Sequence, residues 1–251
     1  MFTYQPPADL LKDRIILVTG AGDGIGRAAA HAYAAHGATV ILLGRTLEKL
    51  EKVYDELEAA GAAQPAIVPL NLETAAEHDY IELSNQLHDT FGHLDGLLHN
   101  AGVLGVRTPL ENYDPVIWDQ VMKVNVNAPF LMTQTLLPLL QKSEDASIIF
   151  TSSGVGRKGR AHWGAYSVSK FATEGMSQIL ADELENLTSV RVNCINPGAT
   201  RTSMRAYAYP AEDPQTNPTP EEIMPLYLYL MGPQSKDVNG QSMDAQGNGS
   251  A

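Results

Sequence analysis

Tyr166 and Lys170 stand four residues apart in GAYSVSKFATEG, a spacing that puts a phenol and an ammonium on one face of a helix. A positive lysine favours the phenolate, lowers the proton affinity of the tyrosine toward working pH and suits it to general acid–base transfer. Ser152 and Ser153 precede the pair at the end of the apolar run SIIFTS, where Ser153 is placed to hold a substrate oxygen while Tyr166 protonates it. Alone, Tyr-x-x-x-Lys equally describes a tyrosine on a partly buried helix. The strand before it and a glycine-rich turn far upstream sharpen the chemical reading.

That turn is RIILVTGAGDGIGRAAAHAYAAHG, with Gly20, Gly24 and Gly26 between an apolar run and a helical pattern. Glycines there permit unusual backbone angles and close approach, and the following helix directs its amide dipole at a phosphate. The spacing is G-x-x-x-G-x-G rather than G-x-G-x-x-G, so a tight strand-to-helix turn stays open as the plainer reading. After the second apolar run, where an NAD site usually offers Asp or Glu to the adenosine ribose, the chain has Gly44, Arg45 and Thr46. An arginine fork holds a 2'-phosphate, which favours NADP(H) and leaves NAD(H) possible. In the other reading Arg45 is solvated or pairs with Glu48.

These groups need strand ends and helix starts to position them, and the chain supplies both in alternation. Apolar runs begin at Arg14 (RIILVT), Thr39 (TVILLG), Ala66 (AIVPL), Leu94 (LDGLLHN), Ser147 (SIIFTS) and Val190 (VRVNCIN). Helical patterns fall between them, near 24–36, 46–60, 74–90, 114–126, 128–142 and 164–187. Asp114 before Pro115 reads as an N-cap with proline at the first helical position, Gly37 and Gly61 as helix stops, and Pro138 as a bend or a shortened end. Continuous apolar strands in a βαβ rhythm predict an α/β fold, a doubly wound parallel sheet with helices on both faces and right-handed crossovers. Past Pro197 the prolines at 210, 214, 218 and 220 break the pattern before EEIMPLYLYLMG. A loop and small helix around 199–232, ahead of a last strand near 238–243, are expected to cover a substrate pocket. The alternative is an oligomer contact through Tyr227, Leu228 and Tyr229.

The 251 residues, 44% hydrophobic, suffice for one catalytic domain spanning 1–251. A formal charge of -12 disfavours nucleic acid and anionic membrane as partners. The acids concentrate in 48–95, whereas 146–211 is mildly basic. Cys194 sits in an apolar run and reads as a buried, reduced thiol. The start MFTYQPPADLLKDR lacks a signal-peptide pattern, and no run approaches the roughly 20 apolar residues of a membrane span; a cytoplasmic protein is expected. His88, His93 and His99 span a helix end, a turn and a strand rather than one ligand face, so no metal site is expected.

Taken together, these segments resemble the short-chain dehydrogenase/reductase family over nearly the whole length. The family pattern T-G-x-x-x-G-x-G appears as TGAGDGIG from Thr19, N-N-A-G as HNAG from His99, the catalytic asparagine as Asn125 in VNVNAPF, the serine as Ser153, and Y-x-x-x-K as Tyr166 and Lys170. Within the family, DRIILVTG, LHNAG, VNVNA and FATEGM most resemble bacterial YciK-type oxidoreductases. The resemblance implies a Rossmann fold of about seven strands in the order 3-2-1-4-5-6-7, and hydride exchange between a nicotinamide and a carbonyl or secondary alcohol. It also implies a proton route from substrate through Tyr166, the cofactor ribose, Lys170 and a water on Asn125.

By the same resemblance, Gly20, Asp23, Gly24, Ile25 and Gly26 meet the cofactor from the first turn, and Arg45, Asn71 and Leu72 from the next two. Asn100, Ala101 and Gly102 meet it at the fourth strand, Tyr166 and Lys170 from their helix, and Pro197, Gly198, Thr200 and Thr202 after the sixth; Ile195 is implied near the nicotinamide. Asn71 replaces a common Asp, His99 replaces an Asn and is expected to be structural, and MDAQG replaces V-D-G-G, altering a turn or a subunit contact. A homodimer or homotetramer is implied through the helices near 114–142 and 164–187.

The resemblance implies a small carbonyl or alcohol compound as substrate. Arg157, Lys158 and Arg160 leave open an anionic substrate held by one of them, or charges that face solvent, while His162 and Trp163 are expected to line the pocket. The rival function is a dinucleotide-binding regulatory or scaffold protein with little turnover.

Overall fold

Seven short stretches form parallel strands: β1 (Ile15–Thr19), β2 (Thr39–Gly44), β3 (Ala66–Pro69), β4 (Gly96–His99), β5 (Ser147–Thr151), β6 (Arg191–Asn196) and β7 (Ser242–Asp244). In the computed structural model they make one sheet in the order β3-β2-β1-β4-β5-β6-β7, the order expected. The structure describes residues 1–247; residues 248–251, the end of the span expected as one domain, lie outside the described residues.

Alternation along each strand splits the apolar side chains between two layers. Ile16, Val18, Val40, Leu42 and Ile149 join α1 (Gly24–Ala35), α2 (Leu47–Ala59) and, later in the chain, α8 (Met224–Met231) on one side. Leu17, Ile41, Leu43, Ile148 and Phe150 join α3 (Glu77–Phe91), α5 (Ala128–Leu140) and α6 (Gly164–Leu184) on the other. Both faces are thus covered, which is why the strands carry no polar alternation. Two aspartates fasten the amino ends of the strands. Asp145 binds Arg14 of the β1 approach and Arg191 of β6, and Asp95 accepts from the Ile15 amide at 2.8 Å and from Ser143 Oγ at 2.6 Å.

Asp114 caps α4 (Pro115–Met122), its carboxylate accepting from Val116 N at 2.8 Å. The helix then passes through a π-helical turn at Lys123–Asn127 straight into α5, so the two helices expected separately form one interrupted rod. Pro138 lies inside α5, which continues to Leu140.

The segment after β6 departs from expectation. A short helix, α7 (Ser203–Ala208), borders the carboxyl ends of the strands, but α8 packs against α1 within the core. Tyr227 and Leu228, weighed above as an oligomer contact or pocket cover, are buried there, and Tyr229 packs against Phe2 and Tyr4. The run MPLYLYLM is apolar on every face, the mark of a helix enclosed by protein rather than of a half-exposed cover.

Candidate active site

A cleft of about 470 Å³ opens at the carboxyl ends of the strands, where the order reverses between β1 and β4. At its first edge the chain leaves β1 through Gly20, whose φ of +68° is the left-handed region that glycine adopts freely. Gly26, on the first turn of α1, faces this bend so closely that a β-carbon would collide with the Gly20 carbonyl oxygen and lie 2.6 Å from Asn100 Nδ2. Asp23 caps α1, accepting from Gly24 N at 2.7 Å, and binds Lys49 Nζ at 2.7 Å; that lysine bond holds its carboxyl below the usual range. Gly26→Ala is expected to cost about 1–3 kcal/mol by overpacking, read by calorimetry as a Tm lower by roughly 2–10 °C.

Arg45, Thr46 and Lys49 line the next part of the cleft, with Asn71 and Leu72 beyond them. Lys49 escaped the sequence reading, although its place in the first turn of the helix that follows Arg45 was the available signal. Asn71 Oδ1 accepts from Glu73 N of its own loop at 3.2 Å.

On the β4 side, Thr19 Oγ1 accepts from the amides of Asn100 and Ala101 at 2.9 and 3.0 Å, tying the two turns together. His99 stays out of the cleft. It stacks on Phe150 with centroids 4.7 Å apart, its Nε2 lies 2.8 Å from Thr133 Oγ1, and burial pulls its pKa down to about 3, so it is a neutral structural group.

Asn125 sits in the π-helical turn, buried, and clamps the chain after β4. Its Oδ1 accepts from Val103 N at 2.8 Å, and its Nδ2 donates to Val103 O at 2.9 Å and to Ser169 Oγ of α6 at 3.0 Å. All three bonds stay within the protein and tie the chain after β4 to α6.

The helix α6 grips the exit of β5 at successive points. Lys170 Nζ donates to Thr151 O at 2.7 Å, Ser152 Oγ donates to Glu174 at 2.5 Å, and Ser167 Oγ donates to Val155 O at 2.6 Å. Ser153, between these points, lines the cleft beside Tyr166. Burial pushes Tyr166 up to about 12, with neighbouring Ser153 opposing it, and pulls Lys170 down to about 8. The phenolate that the sequence assigns to the influence of Lys170 meets an opposing effect: burial keeps Tyr166 a neutral phenol in this structure, while the Lys170 ammonium donates to the Thr151 carbonyl, 5.6 Å from the Tyr166 ring centre.

Pro197, Gly198, Thr200 and Thr202 line the far wall, and Thr202 caps α7. Gln246 of MDAQG holds this loop, donating to Pro197 O and Ala199 O at 2.9 and 2.7 Å. Ile195 does not reach the cleft; it is wholly buried in β6 between β5 and β7.

Of the basic cluster, Arg157 is bound to Glu174, Asp244 and Ser242, whereas Lys158 and Arg160 are exposed and off the cleft. None lines the cleft, so the anionic-substrate expectation loses its support. Trp163 does line it, but His162, at a positive φ of 69°, points to solvent. Cys194 is buried with its Sγ 3.9 Å from Thr173 O, and burial pushes its thiol to about 12.

With the site assembled, the family comparison is decisive: residues 14–213 match the short chain dehydrogenase model. The chain belongs to the short-chain dehydrogenase family. As a short-chain dehydrogenase it is an oxidoreductase interconverting a hydroxyl and a carbonyl group. It is 56% identical to the oxidoreductase YciK of Escherichia coli K12 over 97% of this chain and 96% of that protein. A short chain dehydrogenase structure from Pseudomonas syringae is 63% identical, with a TM-score of 0.97 over 98% of this chain and 100% of that one. Another, from Escherichia coli CFT073 complexed with NADPH, is 57% identical, with a TM-score of 0.94 over 96% and 100%. Among the described residues no helix is long and apolar enough to cross a membrane.

Proposed function

We propose that this short-chain dehydrogenase binds NADP(H) along the cleft and uses Tyr166 as the acid that protonates a carbonyl oxygen during reduction. The observation that carries the reading is the convergence of Ser153, Tyr166, Lys170 and Asn125 around the exits of β4 and β5.

The cleft suits a dinucleotide. Gly20, Gly22 and Gly24 line the cleft at the N-terminus of α1, where backbone amides suit phosphate, and the close fit of Gly26 against Gly20 holds that turn in place. Arg45 and Lys49, with the N-terminus of α2 between them, suit a 2'-phosphate, and the relative from Escherichia coli CFT073 complexed with NADPH supports the same choice. When bound, the nicotinamide supplies the hydride.

The protein's own groups do the rest. Tyr166, protonated at neutral pH, gives its proton to the substrate oxygen; Ser153 orients that oxygen. Lys170 keeps a positive charge beside the tyrosine as negative charge develops there, and Asn125 fixes Val103 and Ser169 on either side of the site. In the alcohol-oxidising direction Tyr166 takes the proton instead. The exposed Val116, Phe130, Phe171 and Ile179 on α4, α5 and α6 support a homodimer or homotetramer through those helices.

Arg45→Ala tests the cofactor assignment. Losing a charge-assisted bond of about 1.5–3 kcal/mol predicts a Kd for NADPH raised roughly 10–100-fold, with NADH hardly affected. Titration of both cofactors checks it, and equal losses for the two refute it. An aldehyde, ketone and alcohol panel tests turnover; tight NADPH binding with no turnover favours the regulatory reading.

A further inference from the structure

Beyond Tyr166 the cleft ends in an apolar lining of its own. Leu104, Trp163, Tyr166 and Ala208 are buried against one another with Met204 packed on them, in a cluster separate from the two layers that flank the sheet. The apolar surface that these groups still leave open to the cleft gains free energy when an apolar ligand covers it.

The cations nearby are already engaged. Arg107 lies between the rings of Trp163 and Tyr209, 5.0 and 4.8 Å from their centres, and donates to Ala208 O at 2.5 Å. Among the described residues lining this end, Arg205 is the one cation besides Lys170. Its Nε and Nη2 donate to the two carboxylate oxygens of Glu212 at 2.6 and 2.5 Å, and its guanidinium lies 3.8 Å from the Tyr209 ring centre. Asn217 Nδ2 secures the same carboxylate at 2.9 Å. A two-pronged pair of this kind satisfies the guanidinium fork and cancels its charge. A carboxylate on a ligand would be desolvated here against no free cation.

We infer that this end of the cleft receives an uncharged, apolar carbonyl compound, with Glu212 masking the one arginine that would otherwise pair with an anionic one. This rests on the reading of Tyr166 as the group that meets the reacting oxygen, but it is tested by binding rather than turnover.

Acetophenone and para-acetylbenzoate share a ring and a ketone and differ by one carboxylate. Calorimetric titration of the NADP+-loaded enzyme should show acetophenone binding at least about tenfold more tightly. Glu212→Gln, which keeps a hydrogen-bond acceptor but unmasks Arg205, should narrow that gap by strengthening acetylbenzoate. Arg205→Met, which removes both the cation and the need for a mask, should keep the gap wide. Equal or reversed affinities in the wild-type enzyme, binding of neither ketone, a gap unmoved by Glu212→Gln or one lost in Arg205→Met each overturn the inference. Oxidation of NADPH by either ketone is scored separately: its absence with acetophenone bound counts against the hydride-transfer reading and leaves the binding inference standing.

Discussion

Tyr166→Phe is expected to lower kcat by about 10²–10⁴-fold, the contribution of a positioned general acid, while the enzyme still binds NADPH. The ring packs against Trp163 with centroids 5.7 Å apart and is buried with Leu104, contacts that phenylalanine retains. The hydroxyl is the part that is lost, and with it the proton held ready at neutral pH by a phenol pushed up to about 12. Single-turnover oxidation of NADPH with a reducible ketone measures the loss directly, and fluorescence titration of NADPH serves as the control. Turnover near the wild-type level would refute the assignment. The pH dependence separates this residue from Lys170. With its pKa near 8, the lysine loses its charge as pH rises through that value, so kcat/KM should fall on the alkaline side. The linkage for stability has the opposite sign. Between about 8 and the ordinary lysine value of 10.5 the folded state has released a proton that the unfolded state keeps, so this group's contribution to stability rises with pH as its contribution to activity declines.

The residues most legible in the sequence were those whose chemistry depends on local spacing. Tyr166 and Lys170 share a helix, Ser153 ends a strand, and Gly20 and Gly26 flank one turn, so a few consecutive residues carried each of them. The strands were legible because burial on both faces leaves unbroken apolar runs, and β7 was displaced by only a few residues. What escaped depends on partners distant in the chain. Arg157 looked like a free cation until Glu174 and Asp244, 17 and 87 residues away, came to meet it. The cap on Arg205 is nearer, at Glu212, but polar loop residues have no periodicity to announce a pairing. The helix α8 was misplaced for a related reason: an apolar run reports that something will enclose it, not whether that is a ligand, a second subunit or α1. Gln246 showed itself only as a departure from a family turn, and its bonds to Pro197 and Ala199 give the departure a structural task.

Glu174→Gln carries the other large expectation, because this buried carboxylate holds three parts of the site together. It accepts from Ser152 Oγ at 2.5 Å and from Arg157 Nε at 3.4 Å, and through Arg157 it is linked to Asp244 of β7. It lies one turn beyond Lys170, so the two side chains fasten Thr151 and Ser152 in sequence and thereby set Ser153 against Tyr166. The charge of Glu174 also opposes the effect of burial on Lys170, favouring the ammonium. Removing the charge while keeping an acceptor should therefore move the alkaline limb of kcat/KM to lower pH, with a modest loss of kcat at neutral pH. Glu174→Ala also strands the Ser152 hydroxyl and one face of Arg157, an expected loss of roughly 2–4 kcal/mol of stability by urea unfolding, and should lower kcat further as Ser153 loses its register. A merely structural glutamate would lose stability in both variants and leave the pH profile where it was. A positioning residue moves the limb in Glu174→Gln even though the fold is kept, and that difference decides between the two.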